Sequence, residues 1–205
     1  MSKARRRAAP SFCRTLEAAL GDLAMTRTRC EVRFTDAADD SQWSERGLEQ
    51  GEFYISPNPG EDVRPLARIA SGGELSRIML ALKTLATTDA PGKTLIFDEV
   101  DAGIGGAVAD VVGKRLQGLG DRFQVLCITH LPQIAAYGQT HFRITKSVRR
   151  DRTVTDVVGV VGPDREQEMA RMIGGADISA TVLASAREML ESRGLKAIPS
   201  KRAKR

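Results

Sequence analysis

Phe12, Leu16, Ala19, Leu20 and Leu23 fall on one stripe and predict a helix over residues 10–24. CEVRFT (30–35) and GEFYIS (51–56) read as strands, and the polar stretch DAADDSQWSERGLEQ between them reads as a loop or hairpin connection. Pro57, Pro59, Gly60 and Pro65 then mark an irregular passage. From residue 72 the pattern becomes regular. Leu75, Ile78, Met79, Leu82, Leu85 and Ala86 recur at helical spacing until APGK breaks the run. TLIF (94–97) is a short apolar run suited to a buried strand. Val108, Val111, Val112, Leu116 and Leu119 form the stripe of a helix over 106–119. QVLCIT (124–129) is a second buried strand, followed by a short helix near 131–137. Residues 140–147 and 153–161 alternate like a β-hairpin turning at Arg149–Arg152. Helices near 164–173 and 179–192 follow, and the tail is polar and basic. Strands alternating with helices predict an α/β fold: parallel strands flanked by helices, plus a β-hairpin.

Composition narrows the classes. At 205 residues the prior is one domain, at most two. The net charge of +5 suggests an anionic partner, and its distribution qualifies that. Residues 1–7 carry Lys3, Arg5, Arg6 and Arg7 with no acid. Residues 193–205 carry Arg193, Lys196, Lys201, Arg202, Lys204 and Arg205 with no acid. The remainder holds 21 basic and 26 acidic residues, so the body is acidic and the ends are basic. Such ends suit non-specific DNA contact or a solubilising tail. Arg143, Lys146, Arg149, Arg150 and Arg152 add a second basic cluster, at a solvated hairpin tip or a DNA contact. No apolar run approaches the roughly 20 residues of a membrane span, and no apolar segment follows the charged start as in a secretory signal. Cys13, Cys30 and Cys127 are odd in number and widely spaced, forming neither a disulfide framework nor a CxxC site. A reducing cytoplasm is the simplest setting.

Three features carry chemistry. Ser71-Gly72-Gly73-Glu74 opens a strong helix, and Ser71 with Glu74 fits a capping box. The paired glycines go further, because they let a phosphate approach bare N–H groups at a helix N-terminus. Thr94-Leu95-Ile96-Phe97-Asp98-Glu99 is an apolar strand ending in two acids, the Walker B arrangement. Its first carboxylate can hold Mg²⁺ and its second can polarise an attacking water. The plainer alternative is a strand ending in a solvated acidic turn. Asp101, Gly103, Gly105 and Gly106 follow in a tight, acid-bearing loop. His130 ends the next apolar strand, where an imidazole is either structural or in reach of a terminal phosphate. His141 has no such context and is given no role. Gly92-Lys93-Thr94 mimics the end of a P-loop, but position 87 is Thr and the triplet precedes a strand, so it reads as a turn. No other stretch supplies a Walker A motif.

Taken in order, RIASGGELSRIMLALK, TLIFDEVDAGIGG and CITHLPQIAA resemble the C-terminal part of an ABC-type ATPase of the SMC-like group, in its bacterial recombination and repair branch. The resemblance runs from about Asn58 to about Leu190, through EMARMIGG (168–175). Transporter ABC domains are the nearest competitor; Glu74 and the EVDAGIGG stretch favour the SMC-like branch. The resemblance implies the C-terminal lobe of an ABC/SMC-type P-loop ATPase head. Ser71, Gly72, Gly73 and Glu74 would be the signature, contacting the γ-phosphate of ATP held by the opposite protomer. Asp98 would be the magnesium residue, Glu99 the catalytic base, Asp101 part of the D-loop and His130 the switch histidine. ATP and Mg²⁺ are the implied cofactors. DNA, a Walker A-bearing N-terminal lobe and a second head are the implied partners, in the cytoplasm, associated with the nucleoid. The expected organisation is a basic N-terminus and the end of a helical arm over 1–28, the ATPase lobe over 29–192 and a disordered basic tail over 193–205. On this reading the chain is a fragment or a truncated product.

Overall fold

The structure, a computed structural model, describes residues 1–37, 39, 43, 45, 47–58, 60–69, 71–86, 92–149 and 152–193. They form two compact units: Met1–Ile104 with Arg122–Ile128, and Gly105–Asp121 with Thr129 onward.

The first unit begins with helix α1 (Ser2–Gly21), eight residues longer at its start than the apolar stripe predicts. Ala, Arg and Lys dominate residues 3–9 and are strong helix formers. Pro10 lies inside the helix, where it removes one backbone hydrogen bond. The helix ends at Gly21, yet Leu23 and Met25 of the following turn stay buried beside Leu16 and Leu20. Strands β1 (Arg29–Asp36) and β2 (Glu49–Ser56) pair antiparallel from Arg29↔Ser56 to Asp36↔Glu49. β3 (Arg64–Pro65) adds to β2, and a 3₁₀ turn (Leu66–Arg68) follows. The Ser56 hydroxyl donates to the Asn58 and Glu61 carbonyls and closes the irregular passage after β2.

An ionic clamp joins α1 to this sheet. Arg6 Nη2 lies 2.7 Å from Asp36 Oδ1 and 3.0 Å from Glu49 Oε2, and its guanidinium stacks over Phe34. The Ser2 hydroxyl donates to the same Glu49 oxygen at 2.6 Å. These donors hold the Glu49 carboxyl below its ordinary value, the Ser2 hydrogen bond most strongly and Arg6 next. Arg6 of the basic start is therefore engaged within the chain.

Helix α2 (Gly72–Leu85) follows, then β4 (Thr94–Phe97), which pairs in parallel with β5 (Gln124–Cys127). Gly92 takes a left-handed φ of 89° just before β4, so Gly92-Lys93-Thr94 is the turn the sequence suggests. The two short strands are less buried than apolar runs imply. Phe97 is buried, but Ile96 is 68% exposed, Leu126 45% and Ile128 52%. The helix stripe also splits. Ile78 is buried as expected, together with Leu80 and Ala81, whereas Leu75 and Met79 face outward. Leu75 and Met79 line an apolar groove of about 240 Å³ with Gly72, Ser76, Leu95 and Ile96.

In the second unit, helix α3 (Gly106–Leu119) buries Ala109, Val112, Gly113 and Leu116. Short helix α4 (Pro132–Ala135) leads to the hairpin β6 (His141–Arg149) and β7 (Arg152–Val160), paired from His141↔Val160 to Arg149↔Arg152. One hairpin face carries Phe142, Ile144, Val148 and Val157, all exposed. Helices α5 (Gly162–Gly174) and α6 (Ala180–Arg193) pack through Met169, Ala170 and Ala186, with Val182, Leu183 and Met189 around them. Asp110 accepts from Tyr137 and pairs with Arg193, tying α3 to the end of α6. The expected basic tail beyond Arg193, and Arg150 of the hairpin cluster, lie outside the described residues.

Two outcomes test this packing. A Cβ at Gly113 would lie 2.4 Å from the Tyr137 ring, whereas one at Gly118 meets nothing within 4 Å. Gly113→Ala should destabilise the chain by about 1–3 kcal/mol, and Gly118→Ala should stabilise it by about 0.5–1 kcal/mol, both read from chemical denaturation. The Glu49 clamp gives a pH signature. Its carboxyl is held low in the fold, so the clamp acts above the ordinary carboxylate pKa and is lost as pH falls through the lower folded value. Amide exchange in α1 should accelerate over that acidic range, and Glu49→Gln should remove the dependence.

Candidate nucleotide and metal site

The strand–turn after β4 and the start of α2 meet in the first unit. Asp98 and Glu99 follow the C-terminal end of β4, and both are exposed. The Glu99 N–H donates to Asp98 Oδ1 at 2.9 Å, which fixes one carboxylate oxygen. Glu99 takes a left-handed φ of 55°. Its carbonyl accepts from Ala102 at 3.0 Å, and the Asp101 carbonyl accepts from Ile104 at 3.3 Å, so the acidic loop is tightly turned. Asp101 is 5% exposed.

Ser71 caps α2 in extended conformation, and its hydroxyl accepts from the Glu74 N–H at 3.4 Å. That is half of the capping box. The two glycines have a different cause. A Cβ on Gly72 would lie 2.2 Å from Glu99 Oε2, and one on Gly73 would lie 2.7 Å from the Ala102 Cβ. The helix start is therefore bare because the acidic turn presses against it. The Glu99 carboxylate itself lies over Gly72, where the positive end of the helix dipole favours a negative group.

Two residues that sequence reasoning passed over fasten this contact. The Ser76 hydroxyl donates to the Asp98 carbonyl. Arg77 Nη1 donates to the Ala102 carbonyl at 2.7 Å. Arg77 is buried; desolvation lowers its pKa, and Glu74 partly offsets this. The one available signal was a polar pair, Ser76-Arg77, interrupting an apolar helix pattern. Cys127, at the end of β5, registers the charge here. Burial, then Asp101 and Asp98, push its thiol up to about 12.

Among the described residues, no group of three or more His, Cys, Asp or Glu side chains is arranged to hold a metal ion. Asp98 offers a lone carboxylate at a strand end. That donor set suits Mg²⁺, which keeps most of its waters and takes the remaining oxygens from phosphate. It does not suit an all-protein cage.

The structure thus brings Ser71, Gly72, Gly73 and Glu74 onto the turn that carries Asp98, Glu99 and Asp101. His130 belongs to the second unit, where it is exposed just ahead of α4 and next to Thr129, whose hydroxyl accepts from the Leu131 N–H at 3.0 Å. His141 is half-buried in the same unit. Burial, then Arg165, lower its pKa, and its Nδ1 has no hydrogen-bond partner.

No family model matches the chain. Its sequence is similar to curated proteins described as DNA repair protein RecN. Identity is 46% over 198 residues with that of Treponema pallidum, covering 94% of this chain and 34% of the relative. It is 42% over 190 residues with that of Deinococcus radiodurans, covering 93% and 33%. It is 39% over 192 residues with that of Halalkalibacterium halodurans, covering 93% and 34%. The chain spans about a third of the length of these relatives. Among solved structures it has a distant likeness to an Smc head domain with a coiled coil and joint from Pyrococcus yayanosii. That likeness has 17% identity and a TM-score of 0.46, covering 88% of this chain and 28% of that one.

Cys127 reports on the acidic turn. The thiolate is the alkylated form, so labelling of Cys127 should be slow at neutral pH and speed up as pH rises towards about 12. Asp98→Asn removes one of the charges that raise the thiol. It should therefore accelerate labelling at fixed pH, measured by peptide mass after timed exposure to iodoacetamide.

Proposed function

We infer the function of this chain from its membership of the RecN family of DNA repair proteins, in which it forms the C-terminal lobe. The chain supplies one half of an SMC-like ATPase head that acts in recombinational repair of DNA double-strand breaks. One observation carries this reading: the Ser71–Glu74 helix start and the Asp98–Ala102 turn are built against each other, with Gly73 pressed on Ala102 and the Glu99 backbone and the Glu99 carboxylate lying over Gly72. A capping box alone requires no such approach.

When bound, ATP with Mg²⁺ brings the electrophilic γ-phosphorus and the charge that offsets its oxygens. Asp98 would hold the metal through its carboxylate. Glu99 would orient a water and accept its proton. His130 would donate to a terminal phosphate oxygen. Ser71 and the Gly72 and Gly73 amides would bind γ-phosphate oxygens of the nucleotide held by the opposite head. Glu99 covers Gly72 in the structure, so engagement of Gly72 by phosphate requires that carboxylate to move aside. Asp101, buried in the turn, holds the loop and is a positioning residue. Catalysis on this plan is mainly alignment and charge stabilisation.

The lysine and amide cradle for the β- and γ-phosphates would come from a separate, Walker A-bearing N-terminal lobe. The outward Leu75 and Met79 of α2, Ile96 and Leu126 of the two-stranded sheet and Ile128 just beyond it support such a neighbour: they are exposed apolar groups. Two heads would then close on ATP as a homodimer and couple nucleotide state to arms on DNA. No helix among the described residues is long and apolar enough to cross a membrane. The reading places the protein in the cytoplasm, at the nucleoid.

The isolated chain should show no ATP turnover. Mixed with the Walker A lobe of a RecN relative it should hydrolyse ATP, and Glu99→Gln should lower that rate by roughly 10²-fold or more. Ser71→Arg should abolish it as well. Turnover by the chain alone, or activity in the mixture that ignores both substitutions, would sink the assignment.

A further inference from the structure

Cys13 and Cys30 stand 17 positions apart in sequence, on α1 and β1, yet their sulfurs lie 3.1 Å apart. Both are free thiols. The Cys30 thiol donates to the Cys13 sulfur. The pair is buried, at 6% and 7% exposure. It also forms part of the lining of an open groove of about 520 Å³, with Arg6, Pro10, Arg14 and Phe34 along its walls. The groove brings solvent up to the two cysteines although they are little exposed.

Both cysteines are held on rigid elements. Cys30 sits opposite Ile55 in the β1–β2 ladder. Its backbone N–H donates to Glu17 Oε1 at 2.8 Å, one helical turn beyond Cys13. That bond pins α1 to β1 where the sulfurs meet. A disulfide requires about 2.05 Å between sulfurs, so closure needs a shift of only about an ångström. Cys127 differs: it sits beside the carboxylates of Asp98 and Asp101 in place of a second thiol.

We propose that Cys13 and Cys30 form an oxidation site at which hydrogen peroxide converts two thiols into one intramolecular disulfide. The Cys13 thiolate attacks one peroxide oxygen, the O–O bond breaks, and a sulfenic acid forms while hydroxide leaves and takes a proton to become water. Cys30 then attacks the Cys13 sulfur. The S–O bond breaks, the S–S bond forms, and the Cys30 proton leaves with the hydroxyl as a second water. Two thiols are oxidised, one peroxide is reduced, and two waters result. Burial, then the hydrogen bond to Cys13, raise the Cys30 thiol, in keeping with its role as the donor of the pair. The disulfide staples the root of α1 to β1. This site is independent of the nucleotide reading.

The test is hydrogen peroxide treatment of the full chain, with and without Cys127→Ser, followed by intact mass and disulfide mapping. The expected product is monomeric and lighter by the two thiol hydrogens. It should carry a Cys13–Cys30 cross-linked peptide, revert with a thiol reductant, and unfold several degrees higher than the reduced chain. Cys13→Ala should leave Cys30 without a disulfide partner. Mapping on the unmodified chain decides the matter even if that variant folds poorly. Independent sulfinic acids at Cys13 and Cys30, or cross-links only between separate chains, would overturn the proposal.

Discussion

The candidate site depends on a steric constraint at the start of α2: a side chain at Gly73 would meet Ala102 and the Glu99 backbone. The acidic turn after β4 occupies that space, with the Glu99 carboxylate over Gly72 and Ala102 against Gly73. Ser76 and Arg77 then fasten the turn from the next helical positions. Close packing leaves little slack at Gly73, where a methyl group would lie 2.7 Å from the Ala102 Cβ and 3.1 Å from the Glu99 carbonyl, whereas at Gly72 the Glu99 carboxylate can swing away. The geometry of Asp98 and Glu99 is thereby set by α2 as much as by β4.

A second theme is apolar surface without a partner among the described residues. Ile96, Leu126 and Ile128 project from a two-stranded parallel sheet, and Phe142, Ile144 and Val148 from one face of the hairpin. Parallel strands are ordinarily covered on both faces. Contiguous exposed apolar groups of this kind mark interaction surfaces.

Element type was legible because periodicity reports it directly: the helices of Leu75–Leu85 and Val108–Leu119, the TLIF and QVLC strands, and a hairpin closing at Arg149↔Arg152 all formed. Burial was less legible. Hydrophobicity identifies which side chains seek cover, while cover itself depends on what else is present, so Ile96 and Leu75 face outward. The extension of α1 back to Ser2 rests on propensity and on the Arg6–Glu49 clamp, and neither produces an apolar stripe. The glycine pair pointed to the site, but the group pressing on it, Glu99, is 27 positions away and invisible to local pattern. The Cys13–Cys30 contact was hidden for the same reason: spacing along the chain says nothing of a helix folded onto a strand.

Glu99 also carries a backbone cost. Its φ of 55° lies in the left-handed region, where an L side chain is disfavoured by roughly 1–2 kcal/mol and glycine is not. A change to glycine would relieve that cost while deleting the carboxylate. The position is therefore a point of trade-off, where the most stable residue and the residue with chemistry to offer are different ones. Selection for thermal robustness alone would erode this site from its centre.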